Sequence, residues 1–483
     1  MRTVWRAVRR SGVFSPTPLP ALLRLLGTLG REGPGLYALA AWWASREPGR
    51  VALVDGSGAV TYGALRGRAD RVADALAPHV RPGQAVGLRA AQSADAVAAL
   101  LGALRLGLRV ILLDPAQPAD SLAALVRSQG LRNLLVDAPL PNGLPGGVRA
   151  LPLADLLNGP APARRRPPPR AGRPVLLTSG TTGEPRVVRR AFSPGAALGT
   201  AGALLEALDL RAGAPTLLPL PLFHGHGLAA LALGLGMGAP VHLAAGQSAR
   251  ELWVTLERER IEVLILVPTV LHRLLVEPQD EAPALRTVVC GSAPLDPALA
   301  VRARERLGDV LFNLYGSTEA GLISLATPAD LNAAPGTVGR PLPGVRVRLR
   351  GDTGEIVVGR HGTGDLGRVD GAGRLWVAGR ADDLLIIGGE NVFPADVEAH
   401  IGALPGVREC AVCGVPSAEY GQAVHAFVVP GPDAPGEAEW HALLRERLPR
   451  RLRPVALTPL PGLPRTPSGK VQRERLRALT ADT

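Results

Sequence analysis

The sequence predicts an α/β protein with a large N-terminal region of parallel sheets, an antiparallel β subdomain, and a small α+β domain at the C-terminal end. Three observations carry this. From Val51 onward, short apolar runs alternate with helix-period patterns, which is the texture of βαβ units. After Gly336, short strand-like runs are separated by turns every several residues, which suits antiparallel pairing. From about Asp382 to the end, strands and helices mix on a smaller scale. The expected domains are therefore 1–381 and 382–483.

Taken in order, Arg2, Arg6, Arg9 and Arg10 precede "LPALLRLLGTLG", where Leu19, Leu22, Leu23, Leu26 and Leu29 recur at helical spacing. Two readings stay open: a helix packed on the body, or a basic amphipathic helix resting on a membrane surface. Pro16, Pro18, Pro20 and Arg24 interrupt the apolar core that a signal peptide needs. No uncharged apolar stretch reaches the roughly 20 residues of a spanning helix. "VALVDGSGAVTYGAL" reads as a hairpin entering a helix. "AVGLRA", "SADAVAALLGALRLGL" and "RVILLDP" read as strand, helix, strand, and "LRNLLVDAPL" as a further strand. Asp120 reads as a helix N-cap. Asn158–Pro174 is rich in Pro and Arg and reads as a surface excursion.

"PVLLTSG" then reads as one buried strand running into a loop, followed by a helix from Gly195 to Leu208. "APTLLPLPL", "IEVLILVPTVLHRLL", "LRTVVCGSAPL" and "DVLFNLYGSTEAG" each carry a strand that ends in a polar or glycine-rich turn. Parallel sheets bind ligands at the carboxyl ends of their strands. The loops at Thr178, His224, Gly291 and Tyr315–Glu319 are thus expected to converge on one crevice.

Composition narrows the class. With 46% hydrophobic and 20% charged residues the chain is globular. The net charge of +12 favours polyanions, but the arginines are scattered and aromatics are only 3%. No nucleic-acid partner is expected. Three cysteines make no disulfide framework and suit a reducing cytoplasm. Cys410 and Cys413 are spaced C-x-x-C, yet on a strand positions i and i+3 face opposite sides, so no redox or metal pair is expected.

The chemistry concentrates in "LLTSGTTGEPRVVRR". Four hydroxyls, Thr178, Ser179, Thr181 and Thr182, share a short segment with Gly180 and Gly183, and Arg186 follows. Hydroxyls, free backbone N–H groups and cations together suit phosphates. The spacing is not that of a Walker A loop. "TSGTTGEPR" resembles the phosphate loop of the adenylate-forming superfamily: acyl-CoA synthetases, peptide-synthetase adenylation domains and luciferases. The superfamily's other motifs follow in order: "TYGALRGRADRVADAL", "PLFHGHG", "GSAPL", "YGSTE", "GEIVV", "TGD", "GRADDLLIIGGENVFPADVE" and "PRTPSGK".

The resemblance implies ATP, Mg²⁺ and CoA as cofactors. The loop Thr178–Gly183 would hold the β- and γ-phosphates. Gly291, Ser292 and Ala293 would line the adenine side, Tyr315 with Gly316 would stack on adenine, and Thr318 would contact the α-phosphate. Glu319 would hold Mg²⁺. Asp365 would accept from the ribose hydroxyls with Arg380 assisting. His224 would wall the acyl carboxylate. Lys470 would reach that carboxylate and the α-phosphate, and Asp382 would be the hinge of a mobile C-terminal domain. Gly388 and Gly389 would line the pantetheine passage. Arg186 and Val187 stand where the family usually has Lys and Gly, and Arg is not an equivalent of Lys at a phosphate.

The implied reaction is acyl-CoA synthesis: a carboxylic acid, expected to be a medium- or long-chain fatty acid, forms acyl-AMP and then passes to CoA. "GLAALALGLGMGAP" is read as small and apolar in keeping with that acid. Two alternatives remain: an acyl-AMP ligase that loads a carrier protein, and a degenerate member that binds nucleotide or acyl ligand with little turnover. The expected location is cytoplasmic, with peripheral membrane contact through the N-terminal segment left open.

Overall fold

The structure, a computed structural model, describes residues 8–159, 171–178, 186–187, 202–277, 284–317, 320–351, 354–465 and 471–480. The chain divides into two compact units, Met1–Gly291 with Ala298–Phe312, and Ser292–Pro297 with Asn313–Thr483.

The first unit holds two largely parallel sheets. One has the order β6-β5-β3-β4-β7, built from β3 (Ala85–Arg89), β4 (Arg109–Leu113), β5 (Asn133–Val136), β6 (Arg149–Pro152) and β7 (Arg173–Val175). All its pairings are parallel. The crossovers are α4 (Ala94–Arg105) and α5 (Ala119–Gln129). The hydroxyl of Ser93 caps α4 by accepting from the Ala96 N–H, which satisfies one of the helix's orphan donors. Gly102 lets α4 lie against α3 (Tyr62–Leu76): a Cβ there would stand 2.5 Å from the Ala69 carbonyl oxygen. Val72, Leu76, Leu100, Leu104, Val86 and Val110 form the core between helices and sheet.

The second sheet runs β13-β12-β10-β11-β1-β2 within this unit: β1 (Val51–Asp55), β2 (Gly58–Thr61), β10 (Thr216–Leu218), β11 (Val241–Leu243), β12 (Val263–Leu266) and β13 (Thr287–Gly291). Only the β1–β2 hairpin is antiparallel. The crossovers are α6 (Gly225–Met237), α7 (Ala249–Arg258) and α8 (Pro268–Val276). The N-terminal segment adds α1 (Pro18–Glu32) and α2 (Leu36–Arg46).

Two expectations change here. "PVLLTSG" is not one strand: β7 ends at Val175, and β8 (Leu177–Thr178) leaves it to pair antiparallel with β9 (Arg186–Val187). Asp120 is not the N-cap; Pro118 takes that position and Asp120 lies in the first turn of α5. Two glycines of "GLAALALGLGMGAP" are set by packing. A Cβ on Gly234 would stand 2.4 Å from Val241 and one on Gly238 would meet the Trp43 ring at 2.5 Å, so the backbone approaches its neighbours where glycine stands.

In the second unit, β14 (Leu311–Ser317), β15 (Gly321–Ala326) and β16 (Arg340–Pro341) pair antiparallel. β17 (Val347–Arg350), β18 (Glu355–Val358), β19 (His361–Val369) and β20 (Leu375–Arg380) form the expected antiparallel sheet. A hairpin of β21 (Leu385–Ile387) and β22 (Glu390–Val392) follows. Then β23 (Val407–Ser417) pairs antiparallel with β24 (Gly421–Pro430), and β25 (Ala456–Pro459) joins in parallel. Cys413 packs with Phe427 and Leu476 on one face of β23, and Cys410 packs with the Val412, Val424 and Ile401 cluster on the other. The cysteines do face opposite sides. Helices α9 (Pro394–Gly402) and α10 (Arg473–Thr480) are joined by ions: Arg473 bonds Glu398 at 2.5 Å and lies 3.8 Å from Asp383, which Arg477 also holds at 3.2 Å.

Candidate active site

Three residues expected on the nucleotide side, Tyr315, Asp365 and Arg380, come together on three strands of the second unit. Tyr315, on β14, donates its phenol proton to Asp365 Oδ2 on β19 at 2.6 Å. Arg380, on β20, stands opposite Asp365 in the ladder and reaches its Oδ1 at 3.5 Å. The same guanidinium donates to the Thr363 carbonyl at 3.2 Å. The Asp365 N–H in turn donates to the buried Thr363 hydroxyl at 3.1 Å, and that hydroxyl donates to the Ile356 carbonyl at 2.9 Å. The carboxylate is thus fixed from both sides and from its own backbone. Burial, reinforced by the Asp365 charge, pushes the Tyr315 phenol up, so it remains a donor at neutral pH. A carboxylate offers about four lone-pair sites. Tyr315 occupies one, and Asp365, Tyr315 and Arg380 set a carboxylate, a phenol and a guanidinium side by side.

The flanking turns are shaped by close backbone approach. Gly316 follows Tyr315 where a Cβ would stand 2.4 Å from the Gly321 carbonyl oxygen. Ser292 is a non-glycine residue in the left-handed region, at φ 69°, a conformation that costs about 1–3 kcal/mol and clusters at functional turns. Gly291 ends β13, and Ala293 follows Ser292 in the same turn. Asp382 sits in a short 3₁₀ turn, Ala381–Asp383, where Arg380 contacts it at 3.4 Å.

Gly388 and Gly389 have φ of 60° and 83° and form the two-residue turn between Ile387 and Glu390. Two consecutive positive φ values are what a tight right-twisted hairpin demands, and glycine meets them without a Cβ penalty. The hairpin itself accounts for both glycines.

In the first unit, the strands that flank the expected phosphate loop pair antiparallel: Thr178 and Arg186 are direct cross-strand partners, as are Leu177 and Val187. A β-branched residue suits a ladder position, which gives Val187 a local reason where the family prefers glycine. The loop tip, Ser179, Gly180, Thr181, Thr182 and Gly183, lies outside the described residues, as do Thr318, Glu319 and Lys470. Among the described residues no cluster of three His, Cys, Asp or Glu side chains could hold a metal ion.

His224 caps α6 by position, its ring 4.6 Å from that of Phe223. The turn requires Gly227, since a Cβ there would stand 2.2 Å from the Pro221 carbonyl oxygen. A Cβ on Gly225 would lie 3.2 Å from Leu176, so the start of α6 adjoins the break between β7 and β8. The residue that the sequence reading passed over is His226. Both of its ring nitrogens are buried without a hydrogen-bond partner, and burial pushes its pKa down to about 4. It is a neutral imidazole in the first turn of α6. The available signal was the second histidine of "FHGHG".

Comparisons with known proteins agree with this assembly. The model of the AMP-binding enzyme family matches residues 40–381, and that of the AMP-binding enzyme C-terminal domain matches residues 396–470. An indoleacetate–CoA ligase of Aromatoleum aromaticum is 33% identical over 345 residues, 64% of this chain and 67% of that protein. A fatty acid–[acyl-carrier-protein] ligase of Streptomyces coeruleorubidus is 28% identical over 500 aligned positions, 92% of this chain and 96% of that protein. Among solved structures, o-succinylbenzoate CoA synthetase of Bacillus subtilis, in complex with its acyl-adenylate intermediate, gives a TM-score of 0.81. It is 27% identical, with 91% of this chain and 97% of that one covered.

Proposed function

The chain belongs to the AMP-binding enzyme family, and from that premise we propose that it is an AMP-forming acid–thiol ligase. A carboxylate oxygen attacks the α-phosphorus of ATP, the bond to the bridging oxygen breaks, and pyrophosphate leaves. The thiol of CoA then attacks the acyl carbon and AMP leaves. The observation that carries the reading is the Tyr315–Asp365–Arg380 array, which suits a ribose diol beside an aromatic ring. The hairpin of β8 and β9 supports it by setting Arg186 across from Thr178 at the base of the hydroxyl-rich loop. In this reading Arg186 compensates charge on the departing pyrophosphate, Glu319 holds Mg²⁺, and Thr318 and Lys470 address the α-phosphate. The domain that carries Lys470 turns at Asp382 between the two half-reactions. His224 borders the acyl carboxylate.

For the acid we propose a medium- or long-chain fatty acid. The fatty-acid ligase relative, which aligns over nearly the whole of both chains, supports that class. The same relative, named for an acyl-carrier-protein acceptor, favours one second reading: that the acceptor thiol belongs to a carrier protein rather than CoA. The test is AMP release from Mg·ATP with fatty, aryl and aryl-acetic acids, each with CoA, with a phosphopantetheinylated carrier protein, and with neither. AMP that requires a fatty acid and CoA supports the ligase as stated. Transfer only to the carrier supports the second reading. No turnover with any pair removes both.

A further inference from the structure

We propose that α1 is a docking surface for an anionic lipid bilayer, lying in the headgroup region with its leucines inserted. The proposal does not depend on the ligase reading. Leu19, Leu23 and Leu26 are 66%, 59% and 55% exposed, although they are large and apolar. At about 100° per residue they fall in one row along the helix. Arg24 and Arg31, seven residues apart and also exposed, form a second row about 120° round the helix, on the flank between the leucines and the packed side. Arg9 and Arg10 are exposed just before the helix.

The opposite side of α1 is fastened to its unit. Ala21 and Thr28 are buried, and the Trp42 indole donates to the Ala21 carbonyl at 3.1 Å. Glu32, the one carboxylate of the helix, pairs with Arg105 at 3.5 Å, and Arg105 also bonds Asp70 at 2.8 Å. The helix therefore cannot roll its leucines inward without breaking an ion cluster, and its outer face carries cations with no carboxylate among them.

That charge pattern selects the occupant. A second copy of the chain, seated by a two-fold axis on the leucine row, would bring the two arginine flanks near one another with no carboxylate on the outer face of either helix to offset them. An anionic bilayer offers phosphates to the arginine row and acyl chains to the leucine row. At about 1.5 Å per residue, fifteen residues fall short of the roughly 30 Å hydrocarbon core. Among the described residues no helix is long and apolar enough to cross a membrane. The geometry is that of a helix lying on the surface.

The experiment is co-sedimentation of the full chain with vesicles of phosphatidylcholine alone and of phosphatidylcholine mixed with phosphatidylglycerol. Binding is expected on the mixed vesicles, weaker as salt rises. Leu19→Ser/Leu23→Ser/Leu26→Ser should lower the partition coefficient about ten-fold or more. Arg24→Gln and Arg31→Gln should each lower it about five-fold and flatten the salt dependence. Melting temperatures should stay at the parent value, since these side chains are exposed; if the serine variant fails to fold, the triple alanine variant replaces it. Equal partitioning of the leucine variant and parent, or no binding to anionic vesicles, overturns the proposal. A leucine variant that turns a dimer into a monomer in sedimentation equilibrium, with no vesicle binding in the parent, assigns the face to self-association and overturns it equally.

Discussion

Asp365 in the second unit stands among groups that already satisfy one another, whereas His226 in the first unit has two buried nitrogens and no partner for either. The first arrangement is preorganised: phenol, guanidinium and backbone hold one carboxylate before any ligand arrives, so a diol meets a fixed acceptor. The second holds a polar group at a cost, since a buried polar atom without a hydrogen bond destabilises by about 1–3 kcal/mol. A ligand would find the Asp365 region ready and the His226 region unfinished. Substitutions should consequently affect activity in the first and stability in the second.

The largest effect is expected at Asp365. Asp365→Ala removes the acceptor of Tyr315 and the counter-charge of Arg380 together, and should lower kcat/KM for ATP about a hundred-fold. Asp365→Asn, which keeps one acceptor, should lose about ten-fold. Pyrophosphate release measures both, and an alanine variant within about two-fold of the parent would break the contrast.

Next is the pH dependence of stability at His226. Its folded pKa of about 4 lies below the ordinary 6.5, so the unfolded chain binds the proton more readily. Stability from this group is therefore complete above about pH 6.5 and is lost as pH falls toward 4. Between pH 7 and pH 5 the parent should lose about 2 kcal/mol more than His226→Leu in urea unfolding. At pH 7 the leucine variant should be the more stable by about 1 kcal/mol. Parallel pH curves for the two proteins would show that His226 is not a buried imidazole in solution.

Smaller effects sharpen the picture. Arg186→Ala should lower adenylation about ten-fold while Arg186→Lys keeps it, if a cation across from Thr178 is what the hairpin supplies. Tyr315→Phe removes one hydrogen bond to Asp365 and leaves the ring. It should raise KM for ATP about five-fold with kcat nearly unchanged. A fall in kcat instead would mean that the phenol acts at the reacting phosphate.

Much of this architecture is legible in the sequence because period and punctuation are local signals. The alternation from Val51, the hydroxyl cap of α4 and the opposite facing of Cys410 and Cys413 all follow from residues a few positions apart. What escaped reading depends on contacts distant in sequence. The break at Leu176 arises because β7 pairs with β4 while β8 turns to β9. Gly238, just past α6, answers to Trp43, nearly two hundred residues away, which no local window contains. The leucines of α1 repeat at helical spacing, yet three of them face outward because the Trp42 indole and the Arg105 guanidinium claim the other side. Tyr315 was read as a ring; its tether to Asp365 joins positions that the sequence does not show to be neighbours. The loop tip, Glu319 and Lys470 rest on the motifs alone.

The ion cluster at Asp383 has a mechanical consequence. Asp383 follows the proposed pivot by one residue, and it is gripped by Arg473 and Arg477 of α10, while Arg473 also grips Glu398 of α9. Torque applied at Asp382 therefore does not dissipate along a slack chain. It passes through three arginine–carboxylate links into both helices. If the chain turns at Asp382 as proposed, loosening a link would leave the axle intact and introduce backlash into the swing.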